Sequence, residues 1–266
     1  MLAIAFPVID PVAIQLGPFV VRWYALAYVA GIVIGWRYGM MLCRRRPALL
    51  TPEHLEEAVT WIVVGIILGG RLGYVLFYNP AYYLADPVQA LYVWRGGMSF
   101  HGGLAGVLLA LLLFARRRGI SYFRLTDVVG GCVPFGLFFG RLANFINGEL
   151  FGRVSEVPWA MVFPQGGPLP RHPSQLYEAA LEGVVLFLVL ALMERAGRRR
   201  QVGLLSGVFM TGYAVARIAI EPLRQPDAHI GYLLGGATMG QLLSLPVLAI
   251  GIALIVWSRR TAADRS

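Results

Sequence analysis

Apolar residues collect into seven long runs, separated by short stretches rich in arginine or in glycine, proline and aromatic residues. A helix needs about 20 consecutive apolar residues to cross the hydrocarbon core of a bilayer. On that measure the pattern predicts spans over roughly 19–42, 57–78, 99–115, 126–146, 175–194, 203–221 and 238–257. The third run is short, and the fourth is interrupted by Pro134 and several glycines. Such irregularity is tolerated at membrane depth where the backbone lines an enclosed cavity.

The basic residues fix an expected orientation. Arg44, Arg45 and Arg46 follow the first run, and Arg116, Arg117 and Arg118 the third. Arg195, Arg198, Arg199 and Arg200 follow the fifth, and Arg259, Arg260 and Arg265 the seventh. Every odd-numbered run thus ends in a basic cluster, which the positive-inside rule places in the cytoplasm. The expectation is an all-α, polytopic integral membrane protein with about seven transmembrane helices, its N-terminus outside the cytoplasm and its C-terminus inside. Residues 1–266 read as a single transmembrane domain, with outward connections near 79–98, 147–174 and 222–237. Those connections carry turn formers and interfacial aromatics, among them Asn79, Pro87, Trp94, Gly96, Gly97, Pro158, Pro164, Asp227 and Gly231, in segments long enough to fold over a site. The N-terminus has no basic leader, and Asp10 and Pro11 break its early apolar residues, so the first span is expected to insert as a mature helix.

Composition agrees with this pattern. Hydrophobic residues make up 58% of 266 positions and charged residues 14%, against about 25% charged in a soluble domain. A net charge of +9 would suit nucleic-acid binding, but the arginines sit in short connections between spans, so no nucleic-acid partner is expected. All 23 basic residues are arginine, which excludes a lysine Schiff base or general base. Cys43 and Cys132 make no disulfide framework and read as small buried residues. The four histidines lack ligand spacing, so no metal site is expected.

Arginine within an apolar span calls for a reason, because its insertion at the bilayer centre costs about 2.5–3.5 kcal/mol. Arg71, Arg141 and Arg217 stand in such positions, each on a different span and with few acids evident beside them. Snorkelling or a structural ion pair would account for any one of them. Together they would suit a polyanionic group, with phosphate the natural candidate. Helical spacing puts Arg141 and Asn144 on one face, Tyr213, Arg217 and Glu221 on another, and Arg71, Tyr74 and Tyr78 on a third. The Arg217–Glu221 spacing also fits a plain intrahelical salt bridge. Glu149 closes the outward end of the fourth span. His101 lies between glycine pairs in G-G-M-S-F-H-G-G-L. There the backbone could approach a ligand and the imidazole stay uncovered, as a base near neutral pH requires. His172 reads instead as a helix entrance, with Ser174 as N-cap of span five and Glu178 favouring its first turn.

The run G-R-L-A-N-F-I-N-G-E-L-F-G-R at 140–153 resembles the signature of the bacterial prolipoprotein diacylglyceryl transferases. R-W-Y at 22–24, G-G-R-L-G-Y-V-L-F-Y-N at 69–79, G-G-M-S-F-H-G-G-L at 96–104, R-H-P-S-Q-L-Y-E at 171–178 and L-R-Q-P-D-A at 223–228 look like the same family, in family order. The resemblance implies an enzyme of the bacterial inner membrane with a periplasmic N-terminus and a site open to the periplasmic side. Its partners would be phosphatidylglycerol, the surrounding bilayer and a preprolipoprotein signal peptide whose lipobox cysteine receives the diacylglyceryl group. A thioether forms and glycerol phosphate leaves, with no cofactor or metal. Carried over position by position, the resemblance marks Tyr24, His101, Arg141, Asn144, Glu149, Gly152 and Arg217 as functional, and Tyr213, Glu221 and Arg71 as patterned positions of less defined role. On this reading His101, Arg141 and Arg217 are catalytic. Arg141, Asn144, Tyr24, Glu149, Gly152, Arg217 and Tyr213 bind phosphatidylglycerol. His101 is either the base for the thiol or a donor that orients the lipid's oxygens. The connection after Arg153 is more compact than in some members of the family, which bears on peptide recognition.

Two other classes fit parts of the pattern. A secondary transporter for an organic anion would also use buried arginines and mobile glycines, yet no internal repeat is evident. A phospholipid-binding scaffold would need the arginines but not His101.

Overall fold

A computed structural model describes residues 4–7, 9–45, 50–225 and 238–263. Arg46, Asp227, Gly231, Arg265 and most of the expected connection 222–237 lie outside the described residues. The chain is all-α in its framework, with seven helices among the described residues long and apolar enough to cross a membrane: 23–44, 52–77, 100–118, 122–146, 174–195, 204–223 and 239–262. Large side chains on these helices remain uncovered, with Leu72, Leu109, Leu192 and Ile250 each more than half exposed. A water-soluble protein does not present apolar surface on that scale, whereas a lipid-facing one does. The protein is a polytopic membrane protein.

The chain divides into two compact units, 1–39 with 129–266, and 40–128. In the first, strand β1 (Ile4–Ala5) pairs in parallel with β4 (Met161–Val162), and β2 (Val12–Leu16) forms a hairpin with β3 (Phe19–Arg22). This hairpin corrects the expected start of the first span. Phe19–Arg22 is apolar enough to read as helix, but Gly17 at φ +59° turns the chain so that these residues pair with Val12–Leu16, and helix α1 begins at Trp23. The second span, α2 (Pro52–Phe77), starts earlier than expected because Thr51 caps it, accepting from the His54 amide at 3.3 Å, with proline at the first helical position.

Helix α3 (Pro80–Ala85) and two 3₁₀ turns, Pro87–Leu91 and Val93–Arg95, occupy the connection to α4 (Phe100–Arg118). Ser99 caps α4, accepting from the Gly102 amide at 3.1 Å. In the 40–128 unit, α2 and α4 pack backbone to backbone through glycines. A Cβ on Gly69 would meet Gly106 Cα at 2.7 Å, and one on Gly73 would meet Gly102 Cα at 2.8 Å. Small residues that let helices approach are the usual means of association where lipid removes the hydrophobic drive. The glycines after His101 therefore serve helix packing, which corrects their reading as a ligand-facing backbone.

Helix α5 (Tyr122–Ile146) is continuous through the buried Pro134, so the expected interruption of the fourth span does not occur. The fifth span is built from α6 (Ser174–Glu178), a π-helical stretch Ala179–Val185 and α7 (Leu186–Arg195). Helix α8 (Leu204–Ile220) packs closely on α9 (Met239–Ala263), where Gly207 faces the Gly251 carbonyl. Cys43 is buried as expected, while Cys132 is half-buried.

Candidate functional site: a buried arginine–glutamate cluster

Arg141 on α5 and Arg217 on α8 come together in the unit formed by 1–39 and 129–266, and the carboxylate of Glu178 on α6 joins them. Arg217 Nη1 donates to Glu178 Oε1 at 2.5 Å, and Arg141 Nε lies 3.0 Å from Oε2. Arg224 adds a third guanidinium, 2.5 Å from Glu178 Oε1. Two more acids complete the cluster. Glu182 Oε2 is 3.5 Å from Arg141 Nη2, and Glu221 Oε2 is 3.0 Å from Arg217 Nη2. Glu178 and Glu182 have no exposed surface, and Arg141 and Arg217 retain 18% and 14%. By formal charge three guanidiniums face three carboxylates.

These acids correct two expectations. The arginines are not short of buried acids, and Glu178 is no helix-dipole residue at an exposed first turn. Ser174 does not cap span five, because Pro173 takes that position; the Ser174 hydroxyl donates to the Leu150 carbonyl at 3.0 Å. A buried ion cluster is held only where partners compensate the lost hydration. Here compensation is incomplete. Glu178 Oε2, Glu182 Oε1 and Glu221 Oε2 have no hydrogen-bond donor aligned on them among the described residues. The 3.0 Å approach of Arg141 Nε to Glu178 is therefore an ion pair without a directed hydrogen bond. The π-helical turn carries Glu182, and such bulges in helices occur mostly at functional positions.

Beside the cluster, Glu149 Oε1 accepts from Asn144 Nδ2 at 2.8 Å and from Asn147 Nδ2 at 3.3 Å. Among the described residues Glu149 pairs with no arginine; amides hold it. The Tyr24 hydroxyl lies within electrostatic reach of Glu149 and Arg141, and 3.2 Å from the Tyr28 hydroxyl. Tyr213 lies within the same reach of Glu182, Arg217, Arg141 and Glu178. The backbone that presents Glu149 is fixed from below. Gln175 Nε2 donates to the Glu149 carbonyl at 2.6 Å, and Leu150 is held left-handed at φ +57°. A left-handed leucine costs on the order of 1–2 kcal/mol and persists only where its surroundings enforce it.

Gly152 works through its backbone. Its amide donates to the His172 carbonyl at 2.8 Å, and a Cβ there would lie 2.5 Å from the Leu223 carbonyl oxygen and 2.6 Å from His172 Cβ. The next amide, of Arg153, donates to Leu223 at 2.9 Å, and Arg153 Nε to the Arg224 carbonyl at 2.8 Å. The segment after α5 therefore fastens the stretch that carries Arg224. His172 is partly buried, which pushes its imidazole below the usual histidine range, and its Nδ1 lies 3.2 Å from the Tyr177 hydroxyl.

Two expected site residues belong to the 40–128 unit. His101 is exposed in the first turn of α4, its ring edge-on to Phe100. Arg71 is buried and spends its donors on backbone carbonyls: Nε on Ala90 at 2.8 Å, Nη1 on Gly96 at 2.5 Å and Gly97 at 3.0 Å, Nη2 on Gln89 at 2.6 Å and Tyr92 at 3.4 Å. It is the anchor of the 79–98 connection, which corrects its grouping with the phosphate candidates. Sequence reasoning passed over Glu182, Gln175 and Arg224. The signal present for Glu182 was two acids one turn apart within an apolar span; Gln175 and Arg224 had none beyond the segments they sit in. Among the described residues, no three His, Cys, Asp or Glu side chains gather as metal ligands do.

A membrane-embedded fold with a charged cluster buried among its helices defines a class: polytopic proteins that handle a charged group at the level of the bilayer. Within it, the chain belongs to the prolipoprotein diacylglyceryl transferase family, whose model matches residues 11–257. It is 59% identical over 263 residues to the phosphatidylglycerol–prolipoprotein diacylglyceryl transferase of Paramagnetospirillum magneticum, covering 98% of both chains. The enzymes of the same name from Azospirillum brasilense and Rhodospirillum rubrum are 57% and 55% identical, over 99% and 98% of this chain and 99% and 96% of their own.

Proposed function

We propose that this enzyme moves the diacylglyceryl group of phosphatidylglycerol to the lipobox cysteine of a preprolipoprotein, at the periplasmic side of the inner membrane, with the Arg141–Arg217 cluster receiving the lipid phosphate. Membership of the family gives the transfer from phosphatidylglycerol to prolipoprotein. The convergence of Arg141 and Arg217 on Glu178 carries the assignment of the phosphate. The basic clusters at the ends of odd-numbered spans support a periplasmic N-terminus and a cytoplasmic C-terminus. The whole chain acts as one catalytic domain.

The thiolate sulfur attacks the glyceryl carbon that bears the phosphate. A C–S bond forms, the C–O bond breaks, and its electron pair leaves with glycerol phosphate. That departing phosphate gains charge, so guanidiniums already fixed in place lower the barrier without having to reorganise. Glu178 and its neighbours fix them. Arg141 meets the carboxylates through Nε and Nη2, which leaves the Nη1 hydrogens for phosphate. Tyr24, Asn144, Glu149, Gly152 and Tyr213 shape and position the headgroup site. A cysteine thiol has a pKa near 8.5, so only a few per cent is thiolate at neutral pH. His101 takes that proton.

The test is purified protein, phosphatidylglycerol and a synthetic lipobox peptide in detergent. The reading expects a mass gain of one diacylglyceryl unit on the cysteine, lost in Arg141→Ala and His101→Gln with the protein still folded. Phosphatidylglycerol binding should be lost in Arg141→Ala and retained in His101→Gln. Full transfer by both variants would overturn the assignment of these residues.

A further inference from the structure

A second cluster of arginines lies at the other end of the fifth span, and the reaction has no use for it. Where the chain leaves α7, turns through Arg198–Arg200 and enters α8, a cavity of about 260 Å³ opens between Met193, Arg198, Gln201, Leu204 and Arg259. Neither the Arg198 nor the Arg259 guanidinium has an acceptor among the described residues, and both are exposed. The nearby acid does not neutralise them. Glu194 is buried and committed to Arg199, whose Nη1 lies 2.6 Å from its Oε1.

The start of α8 adds to this positive field. Its N-cap is Gly203, at φ +82°, which brings no side chain to the first-turn amides, and Leu204 at the first helical position lines the cavity. A helix N-terminus carries about half a positive charge. Gln201 contributes an amide, while Met193 and Leu204 supply an apolar wall. The level in the bilayer is marked by Trp257, 41% exposed, whose ring packs on Gly203 so that a Cβ there would meet Cζ3 at 3.1 Å. Indole rings favour the headgroup level, and Leu192, farther from the Arg198–Arg200 turn along α7, is 62% exposed.

We infer that this cavity is a binding site for the phosphate-bearing headgroup of an anionic phospholipid. Two guanidiniums and a helix start supply the charge, and basic pockets between transmembrane helices favour such headgroups. The volume is below the 300–1,000 Å³ of pockets that enclose whole small molecules. It admits a headgroup and leaves the acyl chains outside, along the apolar wall. Free phosphate could use the charge but would gain nothing from Met193 and Leu204.

The test uses full-length protein in zwitterionic nanodiscs, with phosphatidic acid titrated in and bound lipid counted by native mass spectrometry. Wild type should retain a tight phosphatidic acid that Arg198→Gln/Arg259→Gln binds about tenfold more weakly, each single variant falling between. Arg200→Gln/Arg260→Gln removes the same charge from residues that do not line the cavity and should bind as wild type. Lipid transfer should persist in all of them. Equal binding by wild type and the Arg198/Arg259 double variant would overturn the site, as would equal loss in the Arg200/Arg260 variant, which would indicate surface charge alone. Competition by millimolar inorganic phosphate would overturn the commitment to lipid. Should the double variant fail to fold, the exposed single variants carry the same comparison.

Discussion

Arg141 and Arg217 stand on different helices and hold the two oxygens of one carboxylate, that of Glu178, at 3.0 and 2.5 Å. The carboxylate is fully buried and takes Arg224 as well. Like charges brought this close in a low dielectric would repel strongly without a counter-charge between them. Glu178 thus sets the spacing of the guanidiniums.

Glu178→Gln should therefore disturb both folding and turnover. Removing one partner of a buried ion pair leaves uncompensated charge and costs about 3–5 kcal/mol. The expected result is a lower unfolding temperature in detergent, with transfer reduced at least a hundredfold. Glu221→Gln removes the ion pairs to Arg217 and Arg224, keeps an amide oxygen that can still accept from the Thr238 hydroxyl, and should cost less. Thermal unfolding of the two variants side by side checks the order, and a milder Glu178 variant would remove it from its central place.

Arg141→Lys and Arg217→Lys keep the charge but lose the fork that meets two acids at once. Each wild-type guanidinium contacts two carboxylates from different nitrogens, which one ammonium cannot reproduce. Loss of a preorganised donor typically costs 10²–10³ in rate, so kcat should fall by about that much in each variant. Steady-state transfer assays decide this, and wild-type turnover in either would mean that bulk charge alone suffices.

The spans were legible because the cost of exposing backbone and charge to lipid leaves little freedom in sequence. Arg141 and Arg217 were legible for the same reason. Glu178 was not: beside Ser174 and a proline it looks like a helix start, and its burial depends on arginines contributed from 141, 217 and 224. Arg71 showed the same local signal as Arg141, but whether a buried guanidinium meets carboxylates or carbonyls is decided by a connection some 20 residues downstream. The hairpin at Val12–Leu16 and Phe19–Arg22 hid in an apolar run because pairing with a neighbouring strand leaves no mark on hydropathy.

Arg71→Met should loosen the 79–98 connection and leave α2 intact. It strips hydrogen bonds from five carbonyls at 89, 90, 92, 96 and 97, each worth about 1.5–3 kcal/mol with a charged donor. Faster hydrogen exchange or proteolysis confined to this connection is the expected outcome. Arg71→Lys should not restore it, because three donors on one atom cannot span the same carbonyls. Unchanged protection in Arg71→Met would show that the connection stands without its anchor.

Acid should weaken the region around His172. Its imidazole titrates below the ordinary value of 6.5 because burial disfavours the charged ring. The unfolded chain then binds a proton more readily than the folded one, so this contribution to stability is present above pH 6.5 and is lost as pH falls through the lower folded value. The local hydrogen bonds point the same way. Trp159 Nε1 donates to the Tyr177 hydroxyl at 2.6 Å, leaving that hydroxyl to donate to Nδ1 of a neutral His172, 3.2 Å away. Protonation of Nδ1 removes that acceptor and puts two donors face to face. Wild type should lose thermal stability as pH falls below 6.5 more steeply than His172→Gln, and Trp159 fluorescence should change over the same range. Parallel pH profiles for the two proteins would show that His172 does not titrate in that window.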